Sequence, residues 1–242
     1  MVPTRLCVMT LNLWRDERWA EREPAVERCL ETFRPDLLCL QELTPTTRDR
    51  LDETLDGYDR VEAAFPGWET EGNVYWHADR FHAIESGTEK IGCLADHRRL
   101  FWVRLGVAAP GDPTVVVSTA HFTAPNHRDE RDTGHSPRVE QSQRTARALD
   151  RVAGDDEPVL FAGDLNDATP PRRILGDAGY TDCFTELDLP VPPTFPARPT
   201  RGSVATTADQ PLDWVVADDH ADCRAATVPR FHHEEVAPSD HW

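Results

Sequence analysis

Residues 36–42 read DLLCLQE, four apolar side chains in unbroken succession, opened by Asp36 and closed by Gln41 and Glu42. A strand with one wet face alternates in polarity, so an unbroken apolar run reads as a strand covered on both faces. Its last residue, Glu42, is a carboxylate carried to a sheet edge. The run points to a layered α/β class, because only a sheet enclosed between other layers hides both of its faces.

Upstream, TRLCVMTLNLW (residues 4–14) alternates and reads as a strand with Asn12 near its downstream end. REPAVERCLETFRPD then predicts a helix with Pro24 at its first position and Val26, Cys29, Leu30 and Phe33 on one face, stopped by Pro35. Downstream, Thr44 and Pro45 read as the cap and first turn of a helix through Leu55, closed by Gly57. The middle reads as antiparallel strands, NVYWH, RFHAIESG, RRLFWVRLGVA and TVVVSTAHF, the last two joined by a turn at Gly111, Asp112 and Pro113. Ser136 and Pro137 open a helix with Val139, Ser142, Ala146, Leu149 and Val152 on one side. PVLFAGDLND is a short apolar strand that breaks into a polar turn. Residues 187–210, rich in Pro, Thr and Ala, read as a long loop. LDWVVA and a short strand near Ala225 to Val228 lead into the closing SDHW.

The 242 residues are 39% hydrophobic with seven Trp, enough for a packed core, and read as one domain. Six separated cysteines with no CxxC pair and no secretory leader give the expectation of a reduced, cytoplasmic protein without a disulfide framework or structural zinc. No apolar run approaches the ~20 residues that span a bilayer. The formal net charge is −17 and the only lysine is Lys90, which disfavours nucleic acid as a partner, since its binders concentrate Lys and Arg on one face. Between Arg128 and Arg151, however, six arginines face five acids, so this stretch is far less acidic than the whole.

Asn12, Glu42, His121, Asp164 with Asn166, and Asp240 with His241 share one placement: each arrives as an apolar run ends. In layered α/β folds that edge is where sites are built. Taken singly, each has a plain alternative: a strand-end carboxylate for Glu42, a hydrogen-bonded core imidazole for His121, turn caps for Asp164 and Asn166. Asp213 is the anomaly, a carboxylate between Leu212 and Trp214 that is costly to bury unless paired. His241 is an available partner, and an Asp on one imidazole nitrogen leaves the other free to act on substrate.

The ordered set NLW, LLCLQE, STAHF, FAGDLND, PLDWVV and SDHW spans the chain. It resembles the endonuclease/exonuclease/phosphatase superfamily, which includes DNase I and the apurinic endonucleases. The resemblance implies an α/β (α+β), DNase I-like four-layer sandwich of two packed mixed β-sheets flanked by helices. It also implies Mg2+ or Mn2+, with Glu42 as main ligand and Asn12 and Asp240 near the same ion. Asp164 would orient or deprotonate the attacking water, and Asn166 would hold a phosphate oxygen. His121 would sit by the phosphate or leaving group, and Asp213 would support His241 at the transition state.

Two departures stand out. Where some members carry an acid two positions after the strand-1 Asn, this chain has Trp14, and Asp16 is the nearest acid, which weakens the case for a second metal. The family also continues past its DHxP-like motif into a final strand, so the natural polypeptide is expected to run on past Trp242. The reading is a metal-dependent phosphoesterase of either nuclease or small-molecule or lipid-headgroup type, with a non-catalytic binding module as the rival class. A phosphate-ester substrate would meet Arg138, Arg144 and Asn126, although an ion-paired helix face is the plainer account of any single Arg. A monomer is the default expectation.

Overall fold

The computed structural model describes residues 5–125, 127–197 and 209–242. Strands β1 (Val8–Asn12), β2 (Leu37–Gln41), β3 (Tyr58–Arg60) and β4 (Gly72–His77) make one sheet in the order β1-β2-β4-β3. Strands β5 (Phe81–Glu89), β6 (Leu100–Val107), β7 (Thr114–His121), β8 (Val159–Asp164), β9 (Thr181–Asp182) and β10 (Asp213–Ala217) make the other, in the order β5-β6-β7-β8-β10-β9. Each sheet is mixed: β1 and β2 are parallel, as are β7 and β8, and the remaining pairs are antiparallel.

The DLLCLQE run explains the layering. All five β2 residues are buried. Leu37 and Cys39 join Val74 and Trp76 against Val103, Leu105, Val117 and Leu160 of the facing sheet. Leu38 and Leu40 point the other way, onto Val26 and Leu30 of α1 (Trp19–Phe33) and Leu51 of α2 (Pro45–Thr54). Each such leucine contributes about 1.5–3 kcal/mol by leaving water. Between β3 and β4 lies the single turn α3 (Gly67–Thr70), and α4 (Arg128–Thr133) precedes the long α5 (Pro137–Val152). The outer face of the second sheet is covered by α5 and α6 (Pro170–Asp177), where Ala146, Leu149 and Leu175 meet Val116, Phe161 and Val216. A last turn, α7 (Cys183–Glu186), follows β9. Helix, sheet, sheet, helix is the four-layer DNase I-like order that the resemblance implies.

Several local expectations needed correction. Helix α1 begins at Trp19, five residues before Pro24, because Trp19 and Arg22 are buried and one missing N–H costs less than unburying them. Strand β4 is antiparallel to β2 and β3, whereas β5 to β7 belong to the other sheet, so the chain changes sheets between His77 and Phe81. Residues 225–228 carry no strand, since β8 and β9 already occupy both edges of β10. On α5, Ser142, Ala146 and Leu149 are buried as the pattern requires, but Val139 turns outward and the deeper positions include Arg138 and Gln141. The Thr44 cap is as read, with Thr47 completing a capping box.

Candidate active site

Strand direction gathers the site. Parallel pairing sets Asn12 opposite Gln41, next to Glu42, and sets His121 opposite Asp164. Because β10 runs antiparallel to β8, its first residue, Asp213, meets the last residue of β8, Asp164. Thus two strand ends of one sheet and three of the other open onto a single rim. Gly163 is required there: a Cβ would lie 2.2 Å from the Ala120 carbonyl oxygen, so a side chain would push His121 away from Asp164. Glu42 and Asn166 both adopt left-handed backbone, with φ of 55° and 51°. For Glu42 that conformation is uncommon and marks a constrained position.

Asp164 stands at the centre, 1% exposed. Its Oδ2 accepts from Asn12 Nδ2 at 3.0 Å and lies 3.6 Å from His121 Nε2 and 3.8 Å from His241 Nε2. Its Oδ1 accepts from the Asn166 backbone N–H at 2.8 Å. Asn166 gives one side-chain proton to the Phe122 carbonyl at 3.1 Å. Each imidazole is anchored from behind by a carboxylate: His241 Nδ1 is 2.8 Å from Asp213 Oδ2, and His121 Nδ1 is 2.9 Å from Glu71 Oε1. The two Nε2 atoms therefore face the same carboxylate, and that of His121 also lies 3.4 Å from Arg98 Nη1.

Burial pulls the His241 pKa down, but Asp213, Asp164 and Asp240 outweigh it and hold the ring at about 10. The ring is cationic at neutral pH. Burial raises the Asp164 pKa, with Asp213 adding to the rise and His241 and His121 opposing it. For Glu71, burial works upward, but the hydrogen bond and charge of His121, with Arg98 and His97 behind, carry the net shift below the ordinary value.

The closing SDHW is no solvated tail. Ser239 is fully buried and His241 is 7% exposed. Ser239 Oγ accepts from the His241 N–H at 3.2 Å, and the Phe195 ring packs at a tilt against the imidazole with centroids 4.9 Å apart. Thr194 Oγ1 receives the Leu212 and Asp213 N–H groups, while the Trp242 N–H donates to the Thr194 carbonyl. Arg22 clamps the same segment from the other side. Fully buried, it donates to the carbonyls of Leu13, Trp14, Arg15, Glu17 and Pro238.

The donor set suits a hard cation. Asp240 has its pKa raised to about 6, chiefly by burial and also by the neighbouring Glu42, although His241 opposes the rise. Two carboxylates repelling each other at a rim is a place a divalent ion would relieve. Asn12 stands between the carboxylates: its Oδ1 accepts from the Trp14 N–H at 2.9 Å, and its NH2 donates to Glu42 and Asp164. It orients the carboxylates. Asp16 accepts from Thr44 Oγ1 and is tied into the α2 cap. Among the described residues, Asp164, Asp213 and His241 also bring ligand-capable atoms within 4.8 Å of one another, but His241 Nδ1 there is committed to Asp213.

Of the arginines expected to meet substrate, Arg138 does not reach out. It is buried and gives its guanidinium to Glu130, Asp167 and the Thr123 carbonyl, bracing the turn after Asp164. Arg144 is exposed and paired with Glu140. Asn126 lies outside the described residues. Sequence reasoning missed Glu71, which ends a helical turn in the polar stretch ETEGN and terminates no apolar run. It also missed Arg22, whose spacing four residues before Val26 places it on the apolar face of α1, a readable signal.

A family model described as the Endonuclease/Exonuclease/phosphatase family matches residues 9–241. The chain belongs to the endonuclease/exonuclease/phosphatase family. Members of the endonuclease/exonuclease/phosphatase family are phosphoester hydrolases, which is the chemistry a rim of carboxylates and imidazoles suits. No curated protein sequence matches the chain. Solved structures of similar fold include TDP2 from D. rerio complexed with a single-strand DNA product, at 17% identity and a TM-score of 0.74, covering 98% of this chain and 96% of that one. The mannosyl-6-phosphatase of Bacteroides thetaiotaomicron matches at 16% identity and a TM-score of 0.75, covering 98% and 97%. The human Nocturnin catalytic domain, with a bound sulfate anion, matches at 18% identity and a TM-score of 0.71, covering 98% and 91%.

Proposed function

We propose that this family member is a divalent-metal-dependent phosphoesterase that cleaves a P–O bond by in-line attack of water, with no covalent enzyme intermediate. Glu42 and Asp240 would hold Mg2+ or Mn2+, with the Asn12 amide aligning Glu42. When bound, such an ion supplies Lewis-acid stabilisation of a phosphoryl oxygen worth several kcal/mol.

The chain's own residues do the rest. Asp164 Oδ2 accepts the proton of the attacking water, a role its raised pKa favours. His241, cationic and locked at Nδ1 by Asp213, points Nε2–H at the oxygen that gains charge in the transition state. His121, fixed at Nδ1 by Glu71, faces the departing oxygen. Asn166 has a second amide proton to offer a phosphate oxygen.

The observation that carries this reading is the convergence of both Nε2 atoms on Asp164 Oδ2, at 3.6 and 3.8 Å. The relatives named above include one with a DNA product and one named for a sugar phosphate, so fold alone does not choose the substrate. The net charge of −17 favours a small phosphate ester over a long duplex. A panel of plasmid, abasic duplex, single-stranded RNA, inositol phosphates, sphingomyelin and a nitrophenyl diester, each with Mg2+ and with EDTA, tests it. Chelator-sensitive turnover of a small ester is the expected result. Inertness toward every ester with both Mg2+ and Mn2+ would leave a non-catalytic binding module.

A further inference from the structure

The loop between β5 and β6, residues 90–99, returns to the rim beside His121. Cys93 Sγ donates to the His121 carbonyl at 3.7 Å, and Gln141 of α5 donates to the Gly92 carbonyl at 3.3 Å. Gly92 has φ +86°, which a side-chain-bearing residue rarely adopts, and the Arg144 side chain lies across it, 3.5 Å from where a Cβ would stand. Between the loop and α5 lies an open surface pocket of about 100 Å³ whose lining includes Lys90, Arg98, Arg99 and Arg144, with Asp96 the one acid in its wall.

In a chain of net charge −17, this collects the sole lysine and three arginines around one small space. Their partners differ. Arg144 is paired with Glu140, and Arg98 with Glu71 at 3.2 Å. Among the described residues, Lys90 and Arg99 have no carboxylate partner: Arg99 donates to the Asp96 carbonyl and Thr88 Oγ1, and its guanidinium stacks over Phe65 at 4.0 Å. Elsewhere on this stretch Arg128 is paired with Asp132 and Arg151 with Glu89, while among the described residues Arg131 and Arg147 have no carboxylate partner. Arg98 joins the cavity to the rim, with Nη1 3.4 Å from His121 Nε2.

We propose that this cavity is a second phosphate subsite, so that the substrate is a small molecule carrying a second phosphoryl group close to the one that is cleaved. The proposal rests on the phosphoesterase reading and narrows it. A long nucleic acid would need many cationic contacts running past the cavity, which a net charge of −17 with a single lysine disfavours. One phosphate held by Lys90, Arg99 and Arg144, with Arg98 shared between the two groups, orients the scissile bond toward Asp164 by charge-assisted hydrogen bonds.

The test compares KM and kcat for monophosphorylated and bisphosphorylated forms of the same hexose, inositol and nucleoside, with a dinucleotide as the polymer-like arm. A bisphosphate with a KM at least ten-fold lower than its monophosphate is the expected result, with that ratio collapsing to within two-fold of unity in the Lys90→Ala/Arg99→Ala double variant. Lys90→Glu, at an exposed position, should reverse the preference without a folding question. No preference in the wild type, the dinucleotide outperforming every bisphosphate, or a ratio that survives both variants would overturn the proposal. If no ester is turned over, the phosphoesterase reading fails by itself, and calorimetry with inorganic pyrophosphate then decides the subsite. Binding lost in the double variant upholds it; equal binding in both proteins overturns it.

Discussion

Asp164 and Asp213 are register partners across the antiparallel β8–β10 pair, two carboxylates side by side at a sheet edge with the His241 ring reaching both. Such a pair is tolerable only because the imidazole between them is charged. Removing the Asp213 charge should therefore change the ring before it changes the fold. Asp213→Asn is expected to lower kcat about 100-fold with little effect on KM. The folded pKa of His241 is raised from 6.5 to about 10, so its stabilisation is complete below pH 6.5 and is lost as pH rises toward 10. Thermal melts from pH 6 to 10 should show a steeper loss in the wild type than in the variant, and parallel curves would remove the dyad's role.

Glu71 holds His121 as Asp213 holds His241, and it adds Arg98 and His97 to the same carboxylate. Glu71→Gln should cost about 100-fold in kcat. Because the folded pKa of Glu71 lies below its ordinary 4.5, its stabilisation is present above that pH and disappears as acid takes pH through the lower folded value. The wild type should thus outlast the variant near neutrality and lose its advantage in acid, as urea midpoints at pH 7 and pH 3.5 would record.

Glu42 and Asp240 raise a question about ions that binding can answer without turnover. At about a hundred times its Kd, an ion adds about 2.7 kcal/mol to stability. Mg2+ or Mn2+ should raise the wild-type Tm, and Glu42→Gln should need at least ten-fold more metal for half the shift. Equal metal titrations of the two proteins would exclude Glu42 as a ligand.

Arg22 is the bolt between the β1–α1 loop and the segment bearing Asp240 and His241. Arg22→Met would leave five carbonyls short of a donor, each costing about 1–3 kcal/mol where water cannot reach it. A loss of several kcal/mol is expected in denaturant unfolding. Arg22→Lys should not rescue it, since an ammonium has three donors and no planar fork.

The rim was legible because Asn12, Glu42, His121 and Asp164 each close an apolar run, and run ends define sheet edges. The Asp213–His241 pair was legible for another reason: a carboxylate between Leu212 and Trp214 demands a partner. Glu71 gave no such sign, because its burial comes from the α3 turn packing back on the end of β2, where the Leu43 N–H, just past that strand, bonds the Glu71 carbonyl. Arg138 misled because an arginine on a mixed-charge helix looks solvent-facing, and only the α4 and β8 neighbours reveal Glu130 and Asp167 around it.

Sequence by itself determined most of the strands and helices, their order and the polar residues that close the apolar runs, since hydrophobic period and run length depend on near neighbours in the chain; the four layers were what the family resemblance implied. Tertiary structure alone decided which ends face one another, which carboxylate backs which imidazole, and that Lys90 and Arg144 share a cavity. Those contacts join residues tens of positions apart, and their energies arise from burial and charge that exist only once the two sheets have closed.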